Sequence, residues 1–233
     1  MDDLIPIPPK EPRAVLFDMD GVLVDSMPVH ARTWYETAVK YGLRADKEEF
    51  YNYEGMKGSD TIELLYKRTF GKDPDPDLVQ EIYDYKSALF ASHKSEMLPI
   101  PGAREVMVEL SRRGIAIGVV TGSTTQNVKP RIERYYSGFV SPEHIVTADI
   151  VTRGKPFPDP YIMGVSLIGV PKEEVLVVEN APLGIRSARG AGLFTVAVAT
   201  GPIPLYTLRS EGANLIFYNH HALLAWWVST FPR

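Results

Sequence analysis

The stretch RAVLFDMDGVLVDS, residues 13–26, decides how the rest of the chain is read. Ala14-Val15-Leu16-Phe17 is an unbroken apolar run that stops at Asp18. A strand with one wet face alternates apolar and polar residues, whereas a short continuous run suits a strand covered on both faces, as in a parallel sheet. The same signature returns three times. Residues 115–120 end at Thr121-Gly122-Ser123, residues 175–178 at Glu179-Asn180, and residues 194–198 at Ala199-Thr200-Gly201. Helical patterns separate these runs over 102–113 (stopped by Gly114), 159–168 and 182–191. Strands alternating with helices predict an α/β fold, a doubly wound parallel sheet with helices on both faces.

One region breaks the alternation. From residue 28 to about 96 there are helical patterns and no strand: 28–41 before Gly42, 47–53 before Gly55, 61–70 with Ser59 as its N-cap and Gly71 after it, and 76–93. The expected organisation is a core of residues 1–26 plus 98–233, with an inserted all-α lid over 27–97 joined by two links, at 25–28 and 97–102. Prolines at 6, 8, 9 and 12 keep the first dozen residues out of a helix and extended.

Composition narrows the function. The chain has 233 residues, a net charge of −4, 45% apolar and 23% charged residues, which excludes a disordered tail and a basic nucleic-acid binder. With Cys 0, disulfides, thiolate zinc and a catalytic thiol are excluded. No apolar run approaches the roughly 18 residues of a membrane span. The start, MDDLIPIPPKEPR, lacks the basic region and apolar core of a secretory signal. A monomeric, cytoplasmic protein with no membrane or nucleic-acid partner is expected, and its mild acidity means that a small anionic substrate needs a cation as escort.

In an open α/β sheet, ligands sit beyond the carboxyl ends of the strands. Asp18, Asp20, Thr121, Ser123, Glu179 and Asn180 all fall there and are expected to converge. Carboxylates and an amide make an oxygen-rich site suited to Mg²⁺. Thr121 and Ser123 offer hydroxyls and backbone N–H groups to an anion at a helix start, or they simply cap that helix. Lys155, in GKPFPDPY, adds a fixed positive charge. Together these groups point to phosphoryl transfer, with Asp18 as metal-bound nucleophile and Asp20 as general acid and then base.

These residues carry a family resemblance. AVLFDMDGVLVDS resembles the first motif of the haloacid dehalogenase superfamily, VVTGS the second, GKPFPDP the third and VVENAPLGIRSARGAG the fourth, in family order over residues 13 to about 202. The helical insert resembles the cap of the β-phosphoglucomutase-like branch. The resemblance implies a Rossmann-like core, an aspartyl-phosphate on Asp18, acid/base work by Asp20, and phosphate contacts from Thr121 and Lys155. It implies Mg²⁺ held by Asp18, the Asp20 carbonyl and the fourth-motif residues Glu179 and Asn180. Many relatives carry Glu-Asp at that last pair. The asparagine removes a negative charge from the metal shell and leaves open whether Glu179 ligates directly or supports from behind.

In this family the cap selects the leaving group. Candidates for substrate contact are His30, Glu54 and Lys57. His30 also reads as a packed helix residue, and Glu54 as a solvated one. The branch's mutases follow Lys-Gly with an Arg that grips a second phosphate; here Lys57-Gly58 is followed by Ser59-Asp60-Thr61. That lowers the mutase alternative. Glu54 would repel a bare phosphate, so it points to metal-chelated pyrophosphate or to a sugar hydroxyl. The cap and the ENAPLG stretch resemble the branch's pyrophosphate-hydrolysing members. The expected substrate is thus a small phosphorylated metabolite, with inorganic pyrophosphate first. Dehalogenase chemistry is disfavoured by Asp20, and a non-catalytic binding role by the completeness of the set. The Trp226-Trp227 pair and the tyrosines of 51–85 read as packing.

Overall fold

The computed structural model describes residue 8 and residues 10–232, so the proline-rich start expected to run extended lies, for residues 1–7 and 9, outside the described residues. The deciding stretch forms strand β1, Ala14–Phe17, all four residues fully buried. After it come β2 (Val24–Asp25), α1 (Met27–Lys40), a 3₁₀ turn at Lys47–Tyr51, α2 (Gly58–Phe70) and α3 (Pro76–Ser92). Then follow β3 (Leu98–Pro99), α4 (Ala103–Arg112), β4 (Ala116–Val120), α5 (Thr125–Tyr135), β5 (Ile145–Val146) and α6 (Asp159–Ile168). The chain finishes through β6 (Val175–Glu179), α7 (Pro182–Gly190), β7 (Phe194–Val198), α8 (Leu205–Ser210), β8 (Leu215–Phe217) and α9 (His220–Thr230).

Six strands make one sheet in the order β5-β4-β1-β6-β7-β8, every pairing parallel. Chain order reverses on either side of β1, and that is where a doubly wound sheet opens its crevice. Phe17 lies opposite Val119 on one side and Val178 on the other. The next residue on each strand is therefore Val120, Asp18 and Glu179, level with one another at the sheet's edge. The unbroken apolar run of β1 follows from its two covers. Val15 and Phe17 pack into the core shared with α4, α5 and α9, while Ala14 and Leu16 pack with Tyr161, Ile168 and Ala188 on the opposite face.

The helical insertion rises over this edge. Thr33 and Thr37 are fully buried in α1 because their hydroxyls donate back to Val29 O (2.8 Å) and Thr33 O (2.7 Å). The helix expected over 61–70 starts earlier than its supposed cap: Lys57 is the N-cap, Thr61 N donates to Lys57 O (3.0 Å), and Ser59 lies inside the first turn. The two links are not separate threads. Val24 pairs with Pro99 and Asp25 with Leu98 in an antiparallel ribbon, continued by Ile100 N donating to Leu23 O (2.9 Å). Two tyrosines at the end of α5 tie this ribbon down, Tyr135 Oη to Met97 O (2.9 Å) and Tyr136 Oη to Leu23 O (2.5 Å). Among the described residues no helix is long and apolar enough to cross a membrane.

Candidate active site

Four polar side chains meet where β1, β4 and β6 end. Lys155, 1% exposed, donates to Asp18 Oδ1 (2.5 Å), Glu179 Oε1 (2.6 Å) and Val120 O (3.1 Å), so each of its three N–H groups has an acceptor from a different strand end. Burial would pull the ammonium's pKa down, but the carboxylates of Asp18 and Glu179 outweigh it and hold the pKa above its usual value. Asp18 stays the least compensated member. Burial, with Glu179 and Asp20 nearby, pushes its carboxyl up to about 8 against the pull of Lys155. Its Oδ2 is buried with no hydrogen-bond partner.

Asp20, two residues on, is held differently. Its Oδ1 accepts from Ser26 Oγ (2.5 Å) and Arg131 Nη1 (2.7 Å), with His30 Nε2 at 3.4 Å. Its Oδ2 accepts from Ser123 Oγ (3.0 Å) and Thr121 Oγ1 (3.4 Å). Burial alone would raise the carboxyl; Arg131 and His30 outweigh it and hold the group well below the usual carboxylate range. Between the two aspartates, Gly21 has φ 85°. A Cβ there would strike the side chains of Asn180 and Glu54, so only glycine permits both the backbone turn and that close approach.

The expected residues are largely brought together. Asp18, Asp20, His30, Glu54, Thr121 and Ser123 line one cavity of about 60 Å³ under the insertion. Glu54, 6% exposed, accepts from Asn180 Nδ2 (2.9 Å). Burial, with Asp18 next in weight, raises its carboxyl well above the usual range.

Two expectations change. Lys57 does not face the cavity. Its ammonium donates to Val151 O (3.1 Å) and Thr152 O (3.4 Å), which ties the insertion to the loop before Lys155 and gives it no phosphate to hold. Glu179 has no oxygen to spare, since besides Lys155 it accepts from Tyr161 Oη (2.7 Å), Asn180 N (3.1 Å) and Ala181 N (3.5 Å). Its place is behind the ammonium.

Two cations escaped the sequence reading. Lys86 is 5% exposed on α3, 2.8 Å from His30 Nδ1, with its ammonium over the rings of Trp34 (4.9 Å) and Phe90 (4.5 Å). Burial pushes its pKa down to about 7, and burial with Lys86 at its side pushes His30 down to about 4. The other is Arg131 on α5. A signal existed for both: Ile82, Lys86 and Phe90 share the buried stripe of α3, and Arg131 falls between the buried Val128 and Ile132 of α5. A cation inside an apolar stripe needs a buried acceptor or an anion to bind.

No group of three or more His, Cys, Asp and Glu forms a ready-made metal cage among the described residues. What they offer is Asp18 Oδ2 and Asn180 Oδ1, both buried and without partners. Hard, unpaired oxygens of this kind fit Mg²⁺, which takes one or two carboxylates and keeps several waters.

A buried aspartate at a strand end, clamped by a lysine and roofed by helices, is the arrangement of a known hydrolase class. The chain belongs to the haloacid dehalogenase-like hydrolase family, whose model matches residues 15–198. It is similar to the hexitol phosphatase A of Escherichia coli, 31% identical over 207 residues that cover 89% of this chain and 91% of that one. It is 29% identical to a provisionally assigned pyrophosphatase, PpaX, of Caldanaerobacter subterraneus, over 85% of this chain and 86% of the other. Among solved structures, a protein of Bacteroides vulgatus assigned provisionally as a beta-phosphoglucomutase superposes with a TM-score of 0.89 at 38% identity, covering 96% of this chain and 91% of that one. The expected fold, a Rossmann-like sheet with a helical insertion, is thus the fold of this chain, in the β-phosphoglucomutase-like branch.

Proposed function

We propose that this chain is a Mg²⁺-dependent phosphohydrolase that works through an aspartyl-phosphate on Asp18, acting on a small soluble phosphate, inorganic pyrophosphate first. Residues 27–97 act as the cap that closes over the substrate. The observation that carries the reading is Glu54, a carboxylate buried in the roof, lining the same cavity as Asp18 and bonded to Asn180. Burial and Asp18 drive that carboxyl toward its neutral form when nothing is bound, and a phosphate that brings its own divalent cation would supply the charge that lets it ionise. The small cavity, about 60 Å³, points the same way.

Asp18 Oδ2, unpaired and aimed at the cavity, attacks phosphorus, and the bond from phosphorus to the leaving phosphate breaks. Thr121 and Ser123 hydrogen-bond the phosphoryl oxygens, and Lys155, steadied by Glu179, offsets their charge. Asp20, a carboxylate among its donors here, gives a proton to the departing oxygen once substrate has drawn Thr121 and Ser123 away and it has taken one up; it then takes a proton from the water that attacks phosphorus and frees Asp18. Lys86 with His30 meets the second phosphoryl group, the part played by the arginine missing after Gly58. The Asp18 oxygen that does not attack, the Asp20 carbonyl and Asn180 Oδ1 would hold Mg²⁺. That ion supplies positive charge that keeps Asp18 ionised and screens the phosphoryl oxygens.

A phosphate-release screen with Mg²⁺ across pyrophosphate, sugar phosphates and nucleotides tests the class. Glu54→Ala tests the substrate: it should lose pyrophosphate turnover and keep that of a generic phosphate ester, and equal loss on both would remove pyrophosphate from the reading. The likeness to the B. vulgatus protein favours one rival, a sugar-phosphate mutase. Interconversion of sugar phosphates without net phosphate release would establish it.

A further inference from the structure

The reaction cavity has a neighbour. On the other side of Tyr83 lies an open cleft of about 670 Å³ between the insertion and the start of α5. Tyr83, Gly58 and Ser87 line both spaces. Tyr83 is fixed as a partition from two directions. One edge of its ring abuts Gly58, where a Cβ would overlap the ring carbons, and its hydroxyl is hydrogen-bonded to Thr124 across the junction between insertion and core. Gly58 opens α2 and is not at a positive φ, so its lack of a side chain serves that ring and not the backbone.

The two spaces differ in chemistry as well as size. The inner one is lined by the cation Lys86 and by His30, together with the carboxylates of Asp18, Asp20 and Glu54 and the hydroxyls of Thr121 and Ser123. The outer one is lined by Ser59, Gln80, Asp84, Gln126 and Asp149. The cation among its described lining residues is Lys57, whose ammonium is taken by two backbone carbonyls. Hydroxyls, amides and carboxylates with no free cation repel a second anionic group and suit the hydroxyls of a neutral chain.

Resting on the phosphohydrolase reading above, we infer that Tyr83 is the specificity-determining partition that confines turnover to short phosphates, and that the cleft behind it is a latent subsite for the hydroxyl-bearing tail of a polyol phosphate. Removing the ring joins the two spaces. The phosphate end would stay over Asp18, and a linear tail would run out past Thr124 toward Asp84 and Asp149.

The test compares kcat/KM for a hexitol 6-phosphate with that for pyrophosphate, with Mg²⁺, in wild type, Tyr83→Ala, Tyr83→Phe and Gly58→Ala. The ratio should rise roughly tenfold or more in Tyr83→Ala, in line with what pocket remodelling yields elsewhere. Gly58→Ala, which pushes the ring aside while leaving it in the chain, should move the ratio in the same direction. Tyr83→Phe keeps the partition and should keep the ratio within about threefold of wild type. A nucleoside monophosphate, whose tail is a charged-and-ring-bearing group unlike a polyol, should gain less than the hexitol phosphate. An unmoved ratio in both Tyr83→Ala and Gly58→Ala, with wild type releasing phosphate normally, overturns the partition and leaves the phosphohydrolase reading intact. If wild type releases phosphate from none of these substrates, both readings fall. If Tyr83→Ala does not fold, Gly58→Ala alone decides by the same ratio.

Discussion

The floor and the roof of the cavity handle buried charge in opposite ways. On the floor, charges are matched in place. Lys155 meets two carboxylates and a carbonyl, and Asp20 meets an arginine and three hydroxyls, all fixed by strand ends or by α5. In the roof, Glu54 is bonded to one amide, and Lys86 to one imidazole. Glu54 is accordingly driven toward its neutral form, and Lys86 down to about 7. A matched floor is ready for chemistry before anything binds. On the proposed function, a thinly matched roof gains its missing charges from the ligand and so discriminates among ligands, which places reaction class and substrate choice in different parts of the molecule.

The largest effect should come from breaking the floor. Asp18→Asn keeps the shape and removes the proposed nucleophile, so phosphate release should fall roughly a thousandfold or more on every substrate, while the thermal unfolding midpoint holds. Residual turnover within tenfold of wild type would mean that another group attacks phosphorus.

A smaller effect sharpens the roof. A lysine whose pKa lies near 7 is charged below that pH and neutral above it, so kcat/KM for pyrophosphate should decline as pH rises through about 7. Lys86→Arg carries a guanidinium that stays protonated, and its profile should stay level over that range and exceed wild type about tenfold at the alkaline end. Identical profiles would separate Lys86 from anion binding.

The smallest effect asks whether a shifted pKa marks a functional group at all. His220 opens α9, is fully buried and has no partner for either ring nitrogen, and burial pushes it to about 4, as far as His30. It packs against Gly102, away from the cavity. The folded chain keeps this ring neutral while the unfolded chain takes up a proton below about 6.5, so its contribution to stability is present at neutral pH and is lost as pH falls from 6.5 toward 4. Between about pH 6.5 and 5.5 the loss is about 1 kcal/mol. Urea unfolding of His220→Leu should show a shallower acid slope, with turnover at neutral pH unchanged.

The same contrast explains what the residues disclosed on their own. The sheet was legible because burial on both faces compresses its signal into four or five residues that stop at a polar group. Asp18, Thr121 and Glu179 could be named from that stop. The insertion's helices were legible from glycines such as Gly71, which takes the left-handed form at the end of α2. Lys86 and Arg131 were not, because a cation on an apolar stripe acquires meaning only from a partner elsewhere in the chain, and α5 was expected only as a helix start after Thr121 and Ser123, without bounds or a buried face. Lys57 misled for the same reason: its carbonyl partners lie about a hundred residues away. The β2–β3 ribbon was missed because two residues per strand, one of them Pro99, are too few to show any period.

That ribbon has a mechanical consequence. Two independent tethers would let the helices they carry swing, slide and twist. Strands stitched edge to edge and pinned by Tyr135 and Tyr136 resist in-plane shear and yield mainly to bending about one axis. On the proposed cap motion, excursions of the carried helices would be channelled along a single arc, and each return would bring the same carboxylate back over the same amide without a search.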